Sequence, residues 1–313
     1  MSDITTFGET MLRFSPPQGE RLETAETLRF RTAGAESNVA TAASRLGADT
    51  KWISKIPKTV LGRRVVNDLR RHGVTPAIIW SNEGRQGTYY IEQGGDPRGT
   101  NVIYDRAETA IATTEPSDVP IHEIESSTVF FTTGITPALS ETLYQTTKEL
   151  LSLNTTTAFD LNYRSKLWTP SEAKTAYERL LPLVDHLFIP ERDARAILNR
   201  SGEPEAISTE LRARFDCETV VLTRGADGAL ASTSNGVYHQ PPFEAETVDP
   251  IGTGDAFVGG YLAQYVRSRS VTKSLAWGAA TAALKRTTNG DLAIVTESQV
   301  ESVIDDGSTS IDR

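Results

Sequence analysis

Asp249-Pro250-Ile251-Gly252-Thr253-Gly254-Asp255-Ala256-Phe257-Val258-Gly259-Gly260 is the stretch on which the reading of this chain turns. The apolar run at 256–266 has the length of a helix, and two glycines and a carboxylate stand ahead of it. Gly252 and Gly254 let the main chain turn tightly, so that successive N–H groups, Thr253 among them, can face one anion. The positive end of the helix dipole adds to such an anion site. Asp255 stands where a carboxylate can take a proton from an attacking hydroxyl. A phosphate cradle beside a base is what phosphoryl transfer to an alcohol requires. A short glycine pattern is by itself a weak signal. The acid inside the turn and a second glycine loop upstream make this one stronger.

That second loop is Thr223-Arg224-Gly225-Ala226-Asp227-Gly228, directly after the apolar run at 219–222. A loop at the carboxyl end of a parallel strand is where open α/β sheets bind nucleotides, although a plain strand-to-strand turn has the same composition. Near the start, Ala33-Gly34-Ala35-Glu36-Ser37-Asn38-Val39-Ala40 opens a helix with small residues and one amide. Gly34 admits a ligand close to the main chain and Asn38 can donate to or accept from a sugar hydroxyl. Tight packing and capping are the plainer reading of both. Tyr89, Tyr104 and Arg106 alternate along short strands, so two phenols and a guanidinium can meet an oxygen-rich anion. In Asp160-Leu161-Asn162-Tyr163-Arg164 the two-residue period puts Asp160, Asn162 and Arg164 on one side at a strand end.

Outward from these motifs, short β-rich runs at 4–7, 51–56, 76–80, 128–132, 156–161, 186–189 and 219–222 alternate with helical patterns. The helical patterns lie near 36–46, 61–72, 139–152, 171–183, 191–199 and 206–214. A hairpin around Asn235-Gly236 joins 229–232 to 237–239, and helices follow near 255–268 and 272–286. This order predicts an α/β fold, a mainly parallel sheet covered by helices on both faces. Residues 11–32 read as extended, with a turn at Pro16-Pro17-Gln18-Gly19. Strands at 87–93 and 100–105 flank Gly94-Gly95-Asp96-Pro97-Arg98-Gly99. Together 11–32 and 84–106 predict a small β-lid on a core of 1–10, 33–83 and 107–313. The tail from 305 is expected to fray.

A formal charge of −9 argues against a nucleic-acid backbone as partner. No run approaches a bilayer-spanning length, and the first residues lack an export signal, which points to a cytoplasmic protein with no membrane partner. Only eight lysines occur, at 51, 55, 58, 148, 166, 174, 273 and 285. Salt adaptation and an arginine-favouring genome both account for that. Cys217 is alone and reads as a small buried residue. His72, His122, His186 and His239 lack metal-ligand spacing. The Lys-containing phosphate loop, the His-Arg-Asp kinase loop and the Gly-x-Ser-x-Gly elbow are all missing from the sequence.

Taken together, the motifs resemble those of the ribokinase-like (PfkB) family of sugar kinases, over about residues 3–300. The 249–257 stretch is similar to the family's C-terminal signature, and 32–40 to its N-terminal glycine motif. Within the family the 2-keto-3-deoxygluconate kinase branch is closest. The Gly-Ala-Glu-Ser-Asn start, the pair Tyr104 and Arg106, and Phe159-Asp160-Leu161-Asn162-Tyr163-Arg164-Ser165-Lys166-Leu167-Trp168 carry that likeness. The resemblance implies a three-layer α/β/α core and ATP-dependent phosphorylation of 2-keto-3-deoxygluconate at its 6-position, with the galactonate epimer also accepted.

It further implies that Asp255 is the base and that Gly34, Tyr89, Tyr104, Arg106, Arg164 and Asp291 contact the sugar acid. ATP would lie on 223–228 and 252–254 with Asn162 near its phosphates, and Mg²⁺ would accompany it; potassium dependence stays open. Two departures stand out. Ala33-Gly34 replaces the usual double glycine. Pro190-Glu191-Arg192-Asp193 replaces Asn-x-x-Glu, which leaves the metal shell unassigned between Glu191 and Asp193. A fructokinase or nucleoside kinase of the same family, or a non-catalytic sugar sensor, are the competing readings. Open lid strands predict pairing with a second copy of the chain.

Overall fold

The apolar strands of the core bury both faces. In the strand Thr219–Thr223, Val220 and Leu222 pack on one side of the sheet and Val221 on the other. Phe130 and Phe131 part in the same way. That double burial is why these runs are continuously apolar rather than alternating.

The computed structural model describes residues 2–94 and 97–306. Gly95 and Asp96 of the expected lid turn, and 307–313 of the expected frayed tail, lie outside the described residues. In chain order the first half comprises β1 Ile4–Phe7, β2 Met11–Ser15, β3 Arg29–Ala33, α1 Ala35–Arg45, β4 Thr50–Pro57, α2 Val60–Arg70, β5 Thr75–Ser81, β6 Thr88–Gln93 and β7 Thr100–Asp105. Then come α3 Ile121–Glu125, β8 Val129–Thr133, α4 Glu141–Leu151, β9 Thr156–Asp160, α5 Pro170–Leu180, β10 His186–Pro190, α6 Glu191–Ala196 and α7 Pro204–Phe215. The chain closes with β11 Thr219–Thr223, β12 Ala229–Thr233, β13 Gly236–Gln240, α8 Thr253–Ser268, α9 Val271–Arg286 and α10 Glu297–Asp306.

Nine strands form the main sheet in the order β13-β12-β11-β10-β9-β8-β1-β4-β5. It is parallel except for the β11-β12-β13 hairpins at one edge. Helices α1, α8, α9 and α10 cover one face, and α3, α4, α5 and α7 the other. The second sheet has the order β3-β2-β6-β7 and projects from the carboxyl ends of the main strands.

Differences from the sequence reading have local causes. The stretch 11–32, read as extended, is two antiparallel strands, with Met11 opposite Ala33. The helix expected from 139 begins at Glu141, because the Ser140 hydroxyl accepts from the Leu143 N–H at 3.0 Å and fixes the start there. Helices α3 and α10 escaped notice because the first is one turn long and the second carries few apolar residues. Cys217 is buried, as its apolar neighbours suggest. Among the described residues no helix is long and apolar enough to cross a membrane.

Candidate active site

Parallel strands deliver their polar ends to one edge of the sheet. There Glu9 after β1, Asp160, Asn162 and Arg164 at the end of β9, and Asp193 after β10 meet the first turns of α1 and α8. The chain order reverses at β1, between β4 and β8, and an open sheet is cleft at such a point. The lid covers the cleft, leaving a cavity of about 450 Å³.

The glycine turn forms one wall. Gly252 is left-handed (φ 79°), and a Cβ there would run into the Asp291 carbonyl, so only glycine fits. A Cβ on Gly254 would meet nothing, which marks its face as the open one. Four amides of this turn were expected to face an anion. The Thr253 N–H instead bonds to the Pro250 carbonyl at 3.3 Å, closing the turn. Those of Gly252, Gly254 and Asp255 have no intramolecular acceptor among the described residues. Three free donors at a helix start can together receive an anion.

Asp255 stands beside them. Its Oδ2 accepts from Asn38 Nδ2 at 2.6 Å, and Asn38 Oδ1 accepts from the Gly34 N–H at 3.4 Å. The Asp255 side chain is partly exposed yet ringed by protein. Burial pushes its pKa up to about 6, against the pull of the Asn38 bond and of Arg164. Burial and Asp255 together push Asp160 up to about 7, and burial raises Asp193. Burial likewise lifts Glu36 to about 7, although Thr133 and Thr136 hydroxyls donate to it at 2.7 and 2.8 Å. This much negative charge facing one cavity favours protons or an added cation there.

The lid supplies the opposite wall. Tyr89 and Tyr104 face each other across β6 and β7 with ring centroids 5.9 Å apart, and Arg106 lies 5.5 Å from the Tyr104 ring. Arg106 is ion-paired with Glu9. Asp291 accepts from Tyr89 Oη at 2.9 Å and is paired with the buried Arg13 of β2. Arg164 bonds only its neighbour's carbonyl, Tyr163 O at 3.2 Å, and has no carboxylate within ion-pair reach among the described residues.

Gly34, Asn38, Tyr89, Tyr104, Arg106, Asn162, Arg164, 252–255 and Asp291 thus line one cavity. Thr223, Arg224, Gly225, Ala226, Asp227 and Gly228 do not; they form an exposed turn at the end of β11, beside β10, closed by Arg224 N–H to the Gly228 carbonyl at 2.8 Å. Gly34 has a different reason from the expected one. A Cβ there would strike the Glu9 carbonyl, so protein rather than ligand occupies the space. Of the two acids left open by the sequence, Glu191 is held by Arg195 and Arg224, whereas Asp193 lines the cavity. Sequence reading missed Glu9, Arg13 and Glu36. Glu36 was the one with a signal, an acid among small residues at a helix start.

A family model described as pfkB family carbohydrate kinase matches residues 1–297. The chain is 58% identical over 316 residues, covering 100% of it and 99% of the relative, to a 2-dehydro-3-deoxygalactonokinase of Haloferax volcanii. Among solved structures, the 2-dehydro-3-deoxygluconokinase of Thermotoga maritima superposes with a TM-score of 0.90 at 28% identity, covering 96% of this chain and 97% of that one. A ribokinase-type protein of E. coli, solved with ATP and Mg²⁺, shares the fold with a TM-score of 0.88 at 21% identity, over 97% and 99% of the two chains. With its three-layer ribokinase-like core and small β-lid, this chain belongs to the PfkB family of carbohydrate kinases.

Proposed function

We propose that the protein transfers the γ-phosphoryl group of ATP to the 6-hydroxyl of a 2-keto-3-deoxy sugar acid. The galactonate epimer is favoured by the 58% relative, and the gluconate epimer is an accepted second substrate. The observation that carries this reading is the meeting of Asp255, three free amides and two arginines in one cavity.

In this reading Asn38, Tyr89, Tyr104, Arg106, Arg164 and Asp291 hold the sugar acid, and Gly34 lets the chain pass close to Glu9 beside them. Asn162, Arg164 and the Gly252, Gly254 and Asp255 amides hold the triphosphate, and the adenosine runs along the end of β11 toward 223–228. Asp255 accepts the hydroxyl proton. A loose transition state asks little of that base, so a pKa near 6 suffices. The Gly252, Gly254 and Asp255 amides stabilise charge on the migrating group. Arg164, with no carboxylate at ion-pair distance among the described residues, is the stronger partner for the substrate's acid group, while Arg106 must share its charge with Glu9.

Mg²⁺ bound with ATP supplies further charge neutralisation. No three His, Cys, Asp or Glu side chains among the described residues are placed to cage a metal. That suits an ion which keeps its waters and takes most oxygens from phosphate, with Asp193 the carboxylate on the cavity wall.

Coupled ADP release over a panel of both keto-deoxy acids, fructose, ribose and adenosine tests the reading. Both acids should outrun the neutral compounds, and Arg106→Ala should lower kcat/KM for the acids by about 10–100-fold, the worth of a charge-assisted bond. Faster turnover of fructose or adenosine would replace the sugar-acid assignment.

A further inference from the structure

Of the eight lysines, Lys285 alone is buried, at 0% exposure near the end of α9. An ammonium loses much of its hydration on burial and ordinarily finds a carboxylate in exchange. Lys285 has no carboxylate within ion-pair distance among the described residues. Its Nζ donates instead to two main-chain oxygens, the Asp249 carbonyl at 2.8 Å and the Thr288 carbonyl at 3.4 Å. These belong to the two segments that shape the anion site. The first runs through Pro250 and Ile251 into Gly252. The second leads to Gly290 and Asp291, whose carbonyl abuts Gly252.

The carboxylate of Asp249, 1% exposed, completes the corner. One oxygen accepts from the Ile251 N–H at 3.0 Å and from Gln93 of the lid at 2.9 Å. The other accepts from the Gly290 N–H at 3.0 Å and lies 3.7 Å from Arg13. The main-chain hydrogen bonds of Val248 and Asp249 to the Arg286 carbonyl, at 2.8 and 3.2 Å, seat the same corner on the end of α9. A helix end favours a cation. The position of the three free amides therefore depends on a joint whose centre is one ammonium.

We propose that Lys285 is a positioning residue for phosphoryl transfer: its ammonium, clasped by the Asp249 and Thr288 carbonyls, holds the Gly252–Asp255 amides in place and does from within the chain what a monovalent cation bound by carbonyl oxygens would otherwise do. The inference rests on the phosphoryl-transfer reading of that turn. Potassium, left open by the sequence, does not fit this corner, because Lys285 already occupies both carbonyls.

Three measurements test it. First, wild-type turnover at equal ionic strength should be the same in potassium, sodium and tetramethylammonium chloride. A requirement for potassium overturns the proposal, whether or not any variant folds. Second, Lys285→Gln keeps a donor for the carbonyls but not the charge, and Lys285→Ala empties the space. Both should lose kcat by about 10²-fold, the usual cost of misplaced groups, with KM for the sugar acid within about threefold of wild type. Ethylammonium should restore part of the kcat of Lys285→Ala and leave wild type unchanged. A Lys285→Gln enzyme with wild-type kcat, or a folded Lys285→Ala that ethylammonium does not revive, sinks the idea and leaves a merely structural lysine.

The third reading is independent of the substrate. Calorimetry with Mg²⁺ and a non-hydrolysable ATP analogue should show Lys285→Gln binding about tenfold more weakly than wild type. If wild type binds the analogue but phosphorylates no sugar acid, the substrate assignment has failed while the analogue comparison still judges Lys285. Equal binding of the analogue by both proteins counts against the lysine.

Discussion

Burial pushes the pKa of Asp255 up to about 6, Asn38 and Arg164 pull it down, and Asp291 pushes it up again. A base acts only when ionised, so kcat/KM should be full above that value and fall as pH drops through about 6. For stability the sign is reversed. The folded protein holds this proton more tightly than the unfolded chain does, so ionisation between about pH 4 and 6 lowers the stability that the site contributes. A pH–rate profile whose acid limb sits near 4 would contradict the buried environment described. Asp255→Asn should lower kcat by about 10²–10⁴-fold, read in the same coupled assay at pH 8. That Asp255 is a candidate base was legible from its place behind the glycines. Its raised pKa was not, because burial and Asp291 reach it only through the fold.

Helix α8 carries the three free amides at its start, and its middle sits close against two other helices. A Cβ on Gly259 would lie 2.5 Å from Ala42 Cβ and 2.9 Å from the Val39 carbonyl of α1. One on Gly260 would crowd Thr281 and the Trp277 carbonyl of α9. These two glycines follow the turn in sequence and read as part of its pattern, yet their work is packing rather than turning. Gly259→Val should cost about 1–3 kcal/mol, the usual penalty for overpacking. Urea unfolding would show it as a lower midpoint with the slope unchanged. No loss of stability would mean that α1 and α8 stand further apart than described.

At the scale of the whole molecule, the lid is fastened to the core by polar links rather than by an apolar seam alone. Arg13 pairs with Asp291, and Gln93 bonds Asp249 at 2.9 Å. The outer strands β3 and β7 each pair on one side only within the four-stranded sheet. Leu28 and Ile103 are exposed beside those edges, at 39% and 50%. We propose that a second copy of the chain covers this surface, since open apolar edges favour pairing. Light scattering should give twice the 34.1 kDa of the chain, and Ile103→Lys should shift the mass toward the single chain. A single-chain mass for the wild type would end the proposal.

The amino-acid order by itself determined the alternation of strands and helices, the parallel sheet and the turn at Gly252–Asp255. Each depends on residues a few positions apart, through periodicity and local main-chain geometry. Tertiary structure alone decided how charge is balanced around the cavity. Arg13 and Asp291 are 278 positions apart, and Lys285 meets the carbonyl of Asp249 across 36. No local pattern marks such partners, because what selects them is the cost of burying a charge, and burial exists only once the chain has folded.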